Sequence, residues 1–229
     1  MKTTISKYQV ATAVAILFHV IGLIGILFFD KTFFINATWV NLLLMFALLV
    51  FTQQNPGKQF IILLVICVGT GIMVEIVGTH TGLLFGEYKY GNVLGLAIQR
   101  VPLIIGINWF IIIYCCGISI HMMLTNIIAK LAQAPGGTKP VLKAISMVID
   151  GACLAVFFDW LMEPVAVKLG YWQWLPGGEI PLYNYVCWFI ISSLLLIVFH
   201  FTQFNKHNKF AVNLLLIQAM FFLLLRTFL

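Results

Sequence analysis

The sequence predicts an all-α fold, a polytopic membrane helix bundle of about seven transmembrane helices. Three observations carry this. Of 229 residues, 62% are hydrophobic and only 9% are charged, whereas a soluble domain carries about a quarter charged residues. The mean hydropathy is +1.05, with apolar side chains too abundant for a disordered chain. The apolar residues also gather into runs near the roughly 20 residues that cross a bilayer. The whole chain, 1–229, reads as a single integral membrane domain.

Taken in order, the first run is Val10–Phe29. Lys2 and Lys7 precede it as in a signal peptide, but Phe29-Asp30-Lys31 offers no small-x-small cleavage site, so it is read as a retained helix. The second, Ala37–Thr52, is short. Asn55-Pro56-Gly57 is a turn signal separating it from the third, Gln59–Gly78. The fourth, Val101–Leu124, is parted from the fifth, Leu142–Val165, by the turn signal Ala134-Pro135-Gly136-Gly137. Tyr183–Thr202 and Phe210–Phe228 complete the set.

The net charge of +6 is dispersed without a basic block, which points to membrane orientation and not to nucleic acid. With seven spans, Lys2, Lys7, Lys58, Lys130, Lys139, Lys143, Lys206 and Lys209 share the N-terminal side. Lys31, Lys89, Arg100, Lys168 and Arg226 share the other. This asymmetry predicts a cytoplasmic N-terminus in a multi-pass protein of the cell (inner) membrane. Cys67, Cys115, Cys116, Cys153 and Cys187 lie in apolar runs with no CxxC pair, and read as buried apolar thiols.

Two longer loops then fall on the outer side. Thr79–Arg100 and Ala166–Leu182 both combine glycines with aromatics. An interfacial aromatic belt accounts for the Tyr and Trp positions. The density of glycines suggests ordered turns packed against something.

Four of the seven acidic residues, Glu75, Asp150, Asp159 and Glu163, fall in or at the edge of apolar spans, where an ionisable group is costly and faces the protein interior. At about 1.5 Å per residue, Glu75 lies about 5 Å from the outer end of its span, Asp159 about 9 Å, Glu163 about 3 Å and Asn108 about 10 Å. Asp159 and Glu163, four apart, share one helix face. Three neighbouring spans thus bring Glu75, Asn108, Asp159 and Glu163 to similar depth, with Arg100 at the mouth as a pairing partner. Asp150 stands apart, near the inner face. Helix-to-helix packing alone is the competing explanation of the cluster.

His19, His121 and His200 are lone histidines, read as core or interfacial residues. Without HxxxH or HxxEH pairs, no metal site of the di-iron hydroxylase type is expected. The last span has only Lys209 at its edge, which disfavours a retinal Schiff base. No P-loop, dinucleotide fingerprint or nucleophile elbow appears. What remains is acid–base chemistry by carboxyl groups beside aromatic rings, in a pocket open to lipid. A carboxylic acid removed from water can keep its proton and deliver it to an alkene, with Tyr and Trp faces stabilising the cation. Such a site suits a long apolar substrate with an isolated double bond.

The run Glu75-Ile76-Val77-Gly78-Thr79-His80 through Gly86-Glu87-Tyr88-Lys89-Tyr90, then Leu94-Gly95, resembles the signature of the membrane carotenoid-biosynthesis protein family. So do Val101-Pro102-Leu103 leading to Asn108-Trp109, Asp159-Trp160-Leu161-Met162-Glu163-Pro164-Val165-Ala166, Gly170-Tyr171-Trp172-Gln173-Trp174, and Ile180-Pro181-Leu182-Tyr183-Asn184. The likeness covers about Glu75 to Trp188; the outer spans match only in hydropathy. Family members include carotenoid 1,2-hydratases of the gamma-carotene, lycopene and bisanhydrobacterioruberin types. Where the family has an Asp before Pro-Val-Ala, this chain has Glu163, an acid of longer reach.

The resemblance implies a hydro-lyase working in the hydration direction, adding water across the terminal double bond of an acyclic carotenoid held in the bilayer. One of Glu75, Asp159 or Glu163 would be the general acid, and a second the base on water. Asn108 and His80 would position that water. Tyr88, Tyr90, Trp109, Tyr171 and Trp172 would line the cation's path, with Arg100 and Asn184 completing the substrate site. No cofactor is implied; a downstream carotenoid glycosyltransferase is an implied partner. The nearest rival is a small membrane lycopene cyclase, whose Pro-Leu-Glu-Glu stretch has no counterpart at Pro181-Leu182-Tyr183-Asn184. A rival of another class is a non-catalytic transporter or pathway assembly protein, for which an internal repeat is missing.

Overall fold

The computed structural model describes residues 5–131 and 140–229. In these described residues, eight helices and four strands of two or three residues follow in the order α1 (Lys7–Phe28), α2 (Lys31–Asn36), α3 (Thr38–Thr52), α4 (Lys58–Thr81), β1 (Tyr88–Tyr90), β2 (Ala97–Ile98), β3 (Val101–Pro102), α5 (Leu103–Leu131), α6 (Pro140–Lys168), β4 (Trp172–Trp174), α7 (Leu182–Phe201) and α8 (Lys209–Phe228). The turn signal at Ala134-Pro135-Gly136-Gly137 lies outside the described residues, as do Lys2 and Lys139.

Among the described residues six helices, α1, α4, α5, α6, α7 and α8, are long and apolar enough to cross a membrane. The second predicted span, Ala37–Thr52, corresponds to α3, whose 15 residues measure about 22 Å, short of a hydrocarbon core of about 30 Å. It still traverses the bundle. Thr38 at its start bonds the Tyr171 hydroxyl at 2.7 Å, beside β4. Just past its end, Gln53 bonds the Asn205 carbonyl at 2.9 Å in the loop before α8. The other helices begin and end within three residues of the predicted apolar runs, except that α5 continues seven residues past Leu124 to Leu131; where a helix overruns, backbone hydrogen bonding continues into the polar interface where hydropathy has already fallen.

Helix ends and breaks follow local chemistry. Ser6 and Gln9 form a reciprocal capping box on α1, which satisfies two free donors of the first turn. Pro164 lies inside α6 and has no N–H to give the Trp160 carbonyl four residues back. Arg226 of α8 supplies that donor instead, Nη1 to Trp160 O at 2.9 Å, while its guanidinium lies 4.0 Å over the Trp160 ring.

Helix α5 is the central element, with every residue from Trp109 to Ile118 buried. It meets α4 through small residues: a Cβ on Gly106 would come within 2.9 Å of the Val68 carbonyl, and one on Gly71 within 2.7 Å of the Trp109 ring. Glycine lets the backbones approach where lipid supplies no hydrophobic drive between helices. Outward faces are apolar, as at Leu17, Phe18, Ile62, Val65, Leu194 and Leu216. Four cysteines are buried, as expected; Cys153 instead is exposed on α6, and Asp150 is exposed on the same helix.

The two glycine- and aromatic-rich loops pack against each other. β1 and β4 pair antiparallel, with Tyr88 opposite Trp174 and Tyr90 opposite Trp172. Gly91 continues the ribbon by donating to the Tyr171 carbonyl at 2.9 Å, and a Cβ there would sit 2.2 Å from the Gly170 carbonyl oxygen. Gly91→Ala must therefore displace backbone. We expect a loss of about 1–3 kcal/mol, read as a lower unfolding midpoint in detergent; an unchanged midpoint would show that the ribbon yields freely.

Candidate carboxylate site under the aromatic ribbon

In a strand, residues two apart share a face. Tyr88 and Tyr90 therefore point the same way from β1, as do Trp172 and Trp174 from β4, whereas Lys89 and Gln173 between them are exposed. The four aromatic side chains lie beside the C-terminal ends of α4 and α6 and the N-terminal end of α7, and carry their polar atoms down to the carboxyl groups.

Glu75 on α4 receives three donors. Tyr88 Oη is 2.5 Å and Tyr90 Oη 2.7 Å from Oε2, and Trp109 Nε1 is 3.0 Å from Oε1. Gly71, one turn before Glu75, leaves the space the Trp109 ring occupies. Burial and the adjacent Glu75 carboxylate push both tyrosine hydroxyls above the ordinary phenol value, so they remain donors at neutral pH. Glu163 is held in the same manner: Trp172 Nε1 at 3.0 Å and Trp174 Nε1 at 2.9 Å both donate to Oε2. Neither indole N–H can do anything but donate.

Asp159, fully buried one turn earlier on α6, is held differently. The Asn184 amide of α7 spans the two acids, with Nδ2 2.9 Å from Asp159 Oδ2 and 3.4 Å from Glu163 Oε1. Among the described residues, Asp159 Oδ1 is buried with no hydrogen-bond partner. Of the three carboxyl groups, Asp159 alone thus presents an oxygen without a partner.

All three acids line one cavity of about 30 Å³, room for about one water molecule. Its walls include Asn108, Tyr88, Tyr90, Trp109, Trp172 and Asn184. Sequence reasoning left Phe85, Met162, Trp174 and Trp188 without a role, yet they line it too. Trp188 is four residues after Asn184 and so on its face, stacked 4.0 Å from Trp109. Trp174 follows Trp172 by the strand period. Both spacings were legible.

Three of the expected residues lie elsewhere. His80 is exposed on α4 and its Nδ1 bonds the Ile76 carbonyl of its own helix at 2.9 Å, so it does not reach the cavity. Arg100 is exposed as well. With Gln99 it occupies the left-handed region, φ +69° and +48°, as the two central residues of a tight β2–β3 turn require, and this holds it away from the acids it was expected to pair with. Tyr171 is buried, but its hydroxyl bonds Thr38 and the residue lines a second cavity.

That second cavity, about 330 Å³, is an apolar groove between α1, α2, α3 and α8. Its rim residues Phe18, Ile21, Phe33 and Val40 are exposed on the apolar surface. It adjoins the carboxylate cavity through Ile105, Asn108, Met162 and Trp172, which line both. A lipid-facing groove therefore ends at a small polar chamber with three carboxyl groups. Among the described residues, no group of three or more His, Cys, Asp or Glu side chains is arranged to hold a metal ion.

Bisanhydrobacterioruberin hydratase of Haloarcula japonica is 26% identical over 131 residues, a match spanning 56% of this chain and 40% of the length of that protein. No solved structure matches. The family model for "carotenoid biosynthesis protein" matches residues 36–229, from α2 to the end of α8 and so including all three acids, and the chain belongs to that family.

Proposed function

We propose that the protein is a carotenoid hydratase that adds water across the terminal C1–C2 double bond of an acyclic end group. The observation that carries this reading is the junction of an apolar groove with a one-water chamber lined by three carboxyl groups, of which Asp159 has an unpartnered oxygen. The likeness to a bisanhydrobacterioruberin hydratase supports it.

In this mechanism the polyene enters from the bilayer along the groove, and its end group reaches Met162 and Asn108. Asp159 protonates C2, leaving a tertiary cation at C1. The faces of Trp109, Trp172 and Trp188 and the tyrosine rings stabilise that cation. Asn108 orients the water, whose oxygen bonds to C1 while its proton passes to Glu163. The Asn184 amide bridging the two acids holds them so that Asp159 is recharged with that proton. Glu75 keeps its tyrosine and tryptophan donors in register and is a positioning residue. The cytoplasmic N-terminus places the acids in the outer half of the membrane, and a carotenoid glycosyltransferase consuming the tertiary alcohol is the proposed downstream partner.

The test is expression in a host accumulating lycopene and gamma-carotene, with extracted pigments resolved by chromatography and mass spectrometry. We expect a pigment heavier by one water with its polyene absorption little changed. An isomer of unchanged mass and blue-shifted absorption would instead identify a cyclase, and unaltered pigments would sink the hydratase reading for these substrates.

A further inference from the structure

We propose that the groove contains a second polar site, separate from the carboxylates, that binds an aliphatic hydroxyl group carried on the apolar chain; this rests on reading the groove as the polyene's channel. The wall formed by α1, α3 and α8 carries His19, Asn41 and Gln218. His19 and Gln218 are 6% and 5% exposed, and Asn41 Oδ1 is buried without a partner. Among the described residues the Gln218 amide makes no hydrogen bond, and His19 bonds only the Ala15 carbonyl of its own helix, at 2.7 Å. Both flank Phe221: the His19 ring meets its edge at 5.3 Å, and Gln218 lies three residues before it on α8, hence on one face.

Polar residues that merely join membrane helices bond one another. The same helix pair shows what that looks like, with Asn213 Nδ2 donating to Thr12 Oγ1 at 3.0 Å. His19, Asn41 and Gln218 line a cavity with capacity unused, and Asn41 Oδ1, buried without a partner among the described residues, is costly to leave so. Their chemistry selects the ligand. A carbonyl can only accept, so His19 Nδ1 carries the proton toward Ala15 and the neutral ring offers Nε2 as an acceptor. The amides of Gln218 and Asn41 both donate and accept. A group that donates to a ring nitrogen and accepts from an amide, on an otherwise apolar molecule, is a hydroxyl. It arrives either on the incoming polyene or as the tertiary alcohol that the reaction makes.

Binding of lycopene and of 1-hydroxy-1,2-dihydrolycopene to the full chain in lipid nanodiscs, read by quenching of tryptophan emission, tests this. The wild-type protein is expected to bind the hydroxylated compound about five- to tenfold more tightly. His19→Phe and Gln218→Leu should each bring that ratio near one while leaving the Kd for lycopene within about twofold, which also shows that the variants are folded. Gln218→Met, milder in shape, should give the same loss, and Asn213→Leu should retain the preference. Equal affinity for both compounds in the wild type, including no binding of either, overturns the proposal; so does a preference that survives both His19→Phe and Gln218→Leu. The two sources separate kinetically. Altered product release at constant KM for lycopene assigns the product's hydroxyl, and a raised KM confined to hydroxylated polyenes assigns the substrate's. Since binding needs no turnover, a hydroxyl preference without any hydrated product would sink the hydratase reading and leave this site standing.

Discussion

Asp159→Asn is expected to leave the fold intact and reduce formation of hydrated carotenoid by about 10²–10⁴-fold, the usual worth of general acid–base assistance. The amide is nearly isosteric and keeps an oxygen for the Asn184 Nδ2 contact, now 2.9 Å. What it lacks is a proton acidic enough to transfer to carbon. The side chain is fully buried, so outside buffer cannot stand in as the acid. The check is quantification of hydrated pigment against protein level in the accumulating host. Wild-type product from Asp159→Asn would remove it from the mechanism, and the same assay on Glu163→Gln would then show whether its neighbour is the acid.

Glu75→Leu is expected to act first on stability, lowering it by about 3–5 kcal/mol. The carboxylate is the common acceptor for Tyr88, Tyr90 and Trp109. Leucine would leave three donors from two loop residues and a central helix facing an apolar side chain. The Trp109 N–H has no freedom to turn elsewhere, since its ring is stacked on Trp188 and pressed against Gly71. Glu75→Gln, which keeps one acceptor oxygen, should recover about half of the loss. Unfolding midpoints of the purified variants, followed by tryptophan emission, check both. A midpoint for Glu75→Leu equal to the wild-type value would mean that the ribbon does not depend on this acid.

How far the site was legible depends on residue periodicity. Glu75, Asn108, Asp159 and Glu163 could be placed together because charge in an apolar run has a depth, and because residues four apart on a helix share a face. The strand period of two would likewise have grouped Trp172 with Trp174. The contact of Tyr88 with Glu75 was not legible, since it depends on how a loop folds back over the helix it has just left. Arg100 and His80 were misplaced for a related reason. Arg100 was expected to pair with an acid and His80 to position water, yet the β2–β3 turn and the outward face of α4 hold these side chains elsewhere.

By itself, then, the sequence determined the fold class, the six long apolar helices, and which helices carry acids. These follow from local quantities: the hydropathy of a run, its length against the bilayer, and the position of a polar residue along it. The tertiary structure alone decided that the two glycine-rich loops pair with each other, that three carboxyl groups receive unequal shares of the available donors, and that an apolar groove adjoins their chamber. Each of these depends on atoms brought together from distant parts of the chain. Which carboxyl oxygen goes unpartnered is settled only when the Trp172 and Trp174 indoles and the Asn184 amide have taken their acceptors, leaving Asp159 Oδ1 without one.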